Sequence, residues 1–152
     1  MSTSNLLNFD EKNRESFSNI VKTMVQKHQS DPKEMMLHAI ESEAEPEMNY
    51  WMTKVLVEEY FVSARMPVGK DAAGQEVSAL QAACLLKNVG VVAALVELGG
   101  FKGSVVEKEF QLVARIASQH EDQAILGLLM KFAQDNDLLE PFMRQLQGTS
   151  LQ

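Results

Sequence analysis

The stretch from Asp71 to Gly100 constrains the fold most, because a turn, a helix, a second turn, a second helix and a stop follow one another there. Asp71 to Gly74 is a turn sequence whose glycine can adopt a positive φ. Small residues in the helix that begins near Ser78 allow another helix to approach closely. Gly99-Gly100 supplies a left-handed helix end. The apolar stripe of the second helix comprises Val91, Val92, Leu95, Val96 and Leu98. The stretch therefore predicts a helical hairpin.

The residues from Ala83 to Gly99 resemble an ankyrin repeat. They have two small residues, a polar loop, paired β-branched residues, a leucine run and a closing glycine. Ser78-Ala79-Leu80-Gln81 lies where that family usually has Thr-Pro-Leu-His, so the Pro and His are missing. The resemblance is best over residues 71–100 and weaker over 31–65 and 101–134. It implies stacked helical hairpins that bind proteins and do not catalyse reactions.

A repeat spacing supports this resemblance. Leu129 lies 34 residues after Leu95, and the same shift places Ala117 on Ala83 and Ile125 on Val91. This spacing is close to the roughly 33-residue period of ankyrin repeats. It predicts a further hairpin over residues 104–134, with its polar break at residues 119–122.

Two more hairpin helices and two capping helices are predicted outside these units. Apolar residues at helical spacing after Asp10, a plausible N-cap, predict a helix over residues 10–28. Asp31 is predicted to be the N-cap of another helix, and Pro32 is its first residue. Pro46 begins the next helix, which is expected to continue to about residue 65. These two helices give a hairpin over 31–65. Asp137 is predicted to cap a final helix over 137–147.

Together these elements predict a single all-α domain over residues 1–152, a short solenoid of stacked helical hairpins with a capping helix at each end. Residues 66–70 are expected to be a simple connection. Residues 148–152 are expected to form a loose tail.

Composition and charge narrow the function. The 152 residues are 45% hydrophobic and 23% charged, which is typical of a globular protein with a real core. A net charge of −7 argues against nonspecific nucleic-acid binding and favours a partner with a basic surface. One cysteine, no signal-peptide pattern and no membrane-length apolar run predict a cytoplasmic protein without membrane insertion. Export without a cleaved N-terminal signal remains an alternative.

No residue pattern indicates catalysis. His28, His38 and His120 are widely separated and form no metal-ligand spacing, and Cys84 occupies a small-residue position in a predicted helix. Nucleophile and nucleotide-binding motifs are not found in the sequence. We therefore expect no catalytic, cofactor-binding or metal-binding residues.

The candidate partner-binding residues are those placed on a concave face or on an aromatic-rich helix. In ankyrin-like hairpins the two residues after the small pair usually face the concave side, and these are Leu85 and Leu86 in one unit. Gln119 and His120 are their counterparts in the next. The alternative is that the leucines rotate into the core. The remaining candidate partner-binding residues are Tyr50 and Trp51 on the aromatic-rich helix, which either anchor an interface or are buried.

The run of glutamates from Glu41 to Glu47 is either a solvated loop or an acidic docking patch. The function expected from these features is a non-catalytic protein–protein interaction module. The first alternative is a homo-oligomeric adaptor or chaperone-like regulator whose apolar patches face another copy. The second, by analogy alone, is an exported ankyrin-like effector of an intracellular bacterium.

Overall fold

The chain is mostly helical, as expected. The computed structural model describes residues 5–101 and 108–150, with side chains up to residue 144. Its eight α-helices in that part are α1 Arg14–Lys27, α2 Pro32–Glu41, α3 Pro46–Tyr60, α4 Ala79–Leu85, α5 Val89–Leu98, α6 Lys108–Gln119, α7 Gln123–Asp135 and α8 Leu139–Ser150. The predicted start of a hairpin at residue 104 lies outside the described residues.

Local capping residues determine where the first helices begin. Asp31 accepts a hydrogen bond from the backbone N–H of Lys33, and Pro32 is the first residue of α2, as predicted. Asp10 also caps as predicted, although it caps a single 3-10 turn, Glu11–Asn13, that leads into α1.

The helices pack in two rows. In one row α2 contacts α4, α4 contacts α6, and α6 contacts α8; in the other, α3 lies between α1 and α5, and α5 contacts α7. Consecutive helices α2–α3, α4–α5 and α6–α7 also pack on each other. Because α3 and α5 have neighbours on several sides, every residue in 49–56 and in 90–97 is buried. Helix α3 is therefore buried on more than one side.

A short β-hairpin precedes α4, where only a connection was predicted. Strand β1, Pro67–Lys70, pairs antiparallel with β2, Glu76–Ser78. The predicted turn closes it: Asp71 Oδ1 accepts from the N–H groups of Ala73 and Gln75, and Gly74 has φ +82°. The strands were not predicted from the sequence because they have only four and three residues. An alternating pattern of apolar and polar residues cannot be recognised over so short a length.

Three predicted helix boundaries were wrong. The helix predicted to continue to residue 65 stops at Tyr60, because Phe61 adopts a left-handed φ of 60°. The side chain of Phe61 is 88% exposed and does not pack in the core. Asp137 is not the N-cap of α8; it has φ 58°, and its N–H bonds to the carbonyl of Gln134 at the end of α7. Helix α8 also continues beyond residue 147, where a loose tail was predicted.

Candidate protein-interaction site

Local features at the two ends of α4 determine where Leu85 and Leu86 lie. Ser78 and Gln81 form a capping box: Ser78 Oγ accepts from the Gln81 N–H at 3.2 Å, and Gln81 Oε1 accepts from the Ser78 N–H at 2.9 Å. After the short helix, Lys87 takes a left-handed φ of 58° and turns the chain. The two leucines are therefore the last residues before that turn.

Asn88 fixes the turn to the rest of the fold. Its side-chain oxygen accepts from the N–H of Val91 at 3.2 Å and so caps α5. Its amide nitrogen donates to the carbonyls of Ala39 at 2.9 Å and Ile40 at 3.0 Å. Since these carbonyls belong to the last turn of α2, one buried side chain joins two hairpins.

The turn between α6 and α7 repeats this geometry. Glu121 has φ 51°, and Asp122 caps α7 by accepting from the Ile125 N–H at 3.1 Å. The Asp122 N–H bonds to the carbonyl of Ala117, as the Asn88 N–H bonds to its counterpart, Ala83. Both turns thus have the same backbone form, 34 residues apart.

All four residues predicted on this face are exposed. Leu85 and Leu86 are 50% and 56% exposed, so the alternative that places them in the core is wrong. Gln119 and His120, their counterparts at the end of α6, are also exposed. Because α4 packs on α6, the ends of these two helices belong to neighbouring elements of one row.

The same outward side of α4 and α6 borders a polar groove. The groove has a volume of about 510 Å³ and lies between the β-hairpin and the two helices. Its lining residues are Arg65, Pro67, Asp71, Gln75, Glu76, Ser78, Gln81, Lys108, Glu109 and Leu112. Gln81 and Leu85 are four residues apart on α4, and Leu112 and Gln119 are seven apart on α6, so groove and helix ends share one face of each helix. This surface is called the inner face below.

An arginine organises one side of the groove. Arg65 Nε donates to the carbonyl of Gly99 at 2.7 Å, and the guanidinium lies 4.2 Å from the ring centre of Phe101. It also lies 3.7 Å from Glu109 Oε2. Among the residues that the structure describes, none forms a hydrogen bond with Oε1 of the same carboxylate, which is buried. The groove therefore presents a partly satisfied carboxylate beside a positioned cation.

Tyr50 and Trp51 do not lie on a binding surface, and their assignment as partner-contacting residues is corrected. Both are buried, with exposures of 0% and 1%. Their rings contact each other edge to face with centroids 4.7 Å apart, and Phe9 packs on Tyr50 at 5.3 Å. Because α1 and α5 cover α3, these aromatic side chains act as core residues.

Tyr50 is instead part of a buried polar cluster that sequence analysis did not identify. The Glu97 carboxylate lies 2.7 Å from the ammonium of Lys54 and accepts from the Tyr50 hydroxyl at 2.8 and 3.0 Å. It also accepts from the backbone N–H of Leu6 at 2.8 Å. Lys131 donates to the Leu6 carbonyl at 3.3 Å. The cluster thus joins α3, α5, α7 and the N-terminal segment.

The available sequence signal for this cluster was a carboxylate inside an apolar run. Glu97 lies among Val96, Leu95 and Leu98, where a charged residue needs a partner if it is buried. The burial of Tyr50 raises its pKa well above the ordinary value, and the negative charge of Glu97 raises it further. Tyr50 therefore stays a neutral hydrogen-bond donor to the carboxylate.

The other chemical candidates lie apart from the inner face or are packed. Burial raises the pKa of the Cys84 thiol to about 12, with a smaller contribution from Asp122. The thiol lies 3.6 Å from the carbonyl oxygen of Val113. Within residues 5–101 and 108–150, His, Cys, Asp and Glu side chains form no group of three or more that could hold a metal ion.

The acidic run is mostly solvent-exposed. Glu41, Glu43 and Glu45 are exposed, and none of them forms an ion pair within the described part of the chain. Glu47 is half-buried and accepts from the side chains of Asn13 at 2.9 Å and Trp51 at 3.4 Å. The run therefore contributes one structural carboxylate and three solvated ones.

Comparisons with known proteins give no assignment for this arrangement. No protein-family model, curated protein or solved structure matches the chain. Over the residues described, no helix combines the length and the apolar character needed to cross a membrane.

Proposed function

We propose that this protein is a non-catalytic interaction module, built as a short ankyrin-like stack of helical hairpins, that binds a protein partner on its inner face. The observation that carries the proposal is the exposure of Leu85 and Leu86 at the end of α4, the helix whose Gln81 lines a polar groove. Two adjacent leucines in water contribute little to the core. A partner would bury them and gain roughly 25 cal/mol for each Å² of apolar surface removed from water.

The hairpin-stack part of the proposal is supported by order and repetition. Contacts run from α2 to α4 to α6 in one row and from α3 to α5 to α7 in the other. A β-hairpin precedes the α4–α5 pair, and the turns at Lys87 and Glu121 have the same form. Such an arrangement lets successive hairpins present equivalent residues on one side, as repeat proteins do when they bind partners.

The inner face combines an apolar edge with specific polar groups. Leu85 and Leu86 supply the apolar contact, while Arg65 and Glu109 in the groove supply a cation and a carboxylate. Apolar contacts at the centre with polar groups around them are typical of protein interfaces. Gln119 and His120 extend the surface to the next hairpin.

The test is a double substitution on this face. Capture from native cytosol with a photo-cross-linking residue at position 86 identifies the partner, and its affinity is then measured by calorimetry. Leu86→Glu with His120→Glu should leave the melting temperature within a few degrees and weaken binding at least tenfold, about 1.4 kcal/mol. Both side chains are exposed, so the fold does not depend on them.

A matched control separates this effect from added charge. Gln26→Glu with Gln134→Glu introduces the same charge at exposed positions of α1 and α7 and should leave affinity unchanged. Equal weakening by both pairs, or no weakening by the first, would refute the assignment of the inner face. If the cross-linked product is instead a second copy of this chain, light scattering should show a dimer, and the homo-oligomeric adaptor becomes the better description.

A further inference from the structure

An apolar depression lies between α1, α2 and α3. It has a volume of about 210 Å³. Its lining residues are Ile20, Met24, Met35, His38, Ala39, Ser42, Met48, Asn49 and Met52. It is called the methionine groove below. Four of the lining residues are methionines, whose flexible and polarizable side chains adapt to the shape of a bound apolar surface.

The groove has exposed apolar walls that the core does not use. Ile20 is 42% exposed and Met48 is 37% exposed. A shallower depression continues from Ile20 and Met24 along α1 to His28. The apolar surface is therefore elongated along a helix, which suits a rod-shaped ligand better than a small molecule.

Unpaired carboxylates lie at one end of this groove. Ser42 lines it, and the adjacent residues Glu41 and Glu43 are exposed. Glu45 is exposed at the start of α3, three residues before Met48. Because none of the three carboxylates has an ion-pair partner within the described residues, a ligand that brings cations here meets no internal competitor.

From these features we infer that the methionine groove binds a basic amphipathic α-helix of a partner protein. Apolar residues on one side of such a helix, at positions i, i+3, i+4 and i+7, would contact the methionines and Ile20. Lysine or arginine residues at its edge would face Glu41, Glu43 and Glu45. Charge complementarity of this kind mainly sets specificity and the rate of association.

The same charges argue against a second copy of this chain as the occupant. The chain has a net charge of −7. A symmetric contact through this face would bring two sets of exposed glutamates together, which costs free energy. A basic helix would be attracted by these glutamates, whereas a second acidic copy would be repelled.

The inference can be tested with synthetic helices and methyl NMR. The protein is labelled at its methionine methyl groups and titrated with an amphipathic Leu/Ala/Lys peptide of about 14 residues, roughly four helical turns. A Leu/Ala/Glu peptide with the same apolar positions is the matched probe. The methyl signals of Met24, Met35, Met48 and Met52 should shift with the lysine peptide, while those of Met66 and Met130, which do not line the groove, should stay in place.

Two sets of variants locate the binding. Ile20→Ser with Met48→Ser should weaken lysine-peptide binding about tenfold without loss of helicity, since both side chains are more than a third exposed. Leu85→Ser with Leu86→Ser, at an equally apolar place on the inner face, should change it less than about twofold. Removing the charges at the end of the groove by Glu41→Gln, Glu43→Gln and Glu45→Gln should weaken binding of the lysine peptide about fivefold at low salt. It should also reduce the salt dependence of that binding.

The inference is overturned if the glutamate peptide binds as tightly as the lysine peptide, or if no groove methyl signal shifts with either. It is also overturned if the groove signals shift with protein concentration alone, which would identify a second copy as the occupant. The Leu85/Leu86 variant changes the inner face, on which the proposed function depends, and leaves the methionine groove unchanged. Failure of this inference can therefore be distinguished from failure of the proposed function.

Discussion

Replacing Lys54 with methionine should destabilise the fold by about 3–5 kcal/mol, because the carboxylate of Glu97 would remain buried without its cation. The side chains of the two residues are only 5% and 1% exposed, and their charged atoms are 2.7 Å apart. Methionine has nearly the length and volume of the lysine stem, so the change removes the charge with little loss of packing.

The size of the expected stability loss depends on which contacts Glu97 keeps after the substitution. After the substitution the carboxylate still accepts from the Tyr50 hydroxyl and from the Leu6 N–H, so it is not left without hydrogen bonds. It loses the neutralising charge, and water cannot reach it to compensate. The expected loss is therefore that of a broken buried ion pair and much larger than the roughly 0–1 kcal/mol typical of an exposed pair.

Urea unfolding followed by Trp51 fluorescence measures this loss. Trp51 is the sole tryptophan, and it is buried one helical turn before Val55 in the core. The denaturant midpoint should fall while the slope stays constant, which indicates a change in stability and not in the unfolding mechanism. The ion pairs of Arg14 with Glu58 and Glu59, whose side chains are about one-third exposed, offer a control: Arg14→Met should cost under about 1 kcal/mol.

A double-mutant cycle tests the reasoning further. Glu97→Gln removes the negative charge and leaves the ammonium of Lys54 buried, so it should also be costly. Combining it with Lys54→Met should cost less than the sum of the single changes by about 1–3 kcal/mol, because no unpaired charge then remains. Additive losses, or a loss below about 1 kcal/mol for Lys54→Met alone, would refute the buried-pair argument.

Three further predictions concern the packing of the hairpins. Leu95→Ala and Leu129→Ala should each cost about 2–5 kcal/mol in calorimetric unfolding, since both side chains are fully buried; a loss under about 1 kcal/mol at both would contradict the predicted hairpin alignment. Gly90→Ala should lower the melting temperature by several degrees although alanine favours helices, because its Cβ would collide with the backbone carbonyl of Pro46; an unchanged or higher melting temperature would show that α3 and α5 separate easily. Native Cys84 should be alkylated far more slowly than the unfolded chain, since burial raises its pKa to about 12, and chelators should not alter the melting curve; fast native labelling would indicate a reactive thiol.

Helices and turns could be predicted from the sequence because the signals that produce them are local. Asp31 and Pro32 begin α2 through contacts within three residues, and the Gly99-Gly100 pair ends α5 beside its own apolar stripe. The polar breaks after α4 and α6 could also be located from the sequence alone. The sequence left open whether Leu85 and Leu86 are exposed or rotated into the core, and the structure decided that they are exposed.

Tertiary structure alone decided which aromatic and charged residues are buried. The same amphipathic pattern fits Tyr50 and Trp51 at an interface or in a core, and the packing of α3 between α1 and α5 places them in the core. Glu97 meets Tyr50 across 47 residues and Leu6 across 91, so no window of neighbouring residues contains the pairing. The methionine groove likewise exists because three helices meet. Local patterns determine helices, but partners distant in the sequence determine burial, ion pairing and the surfaces available for binding.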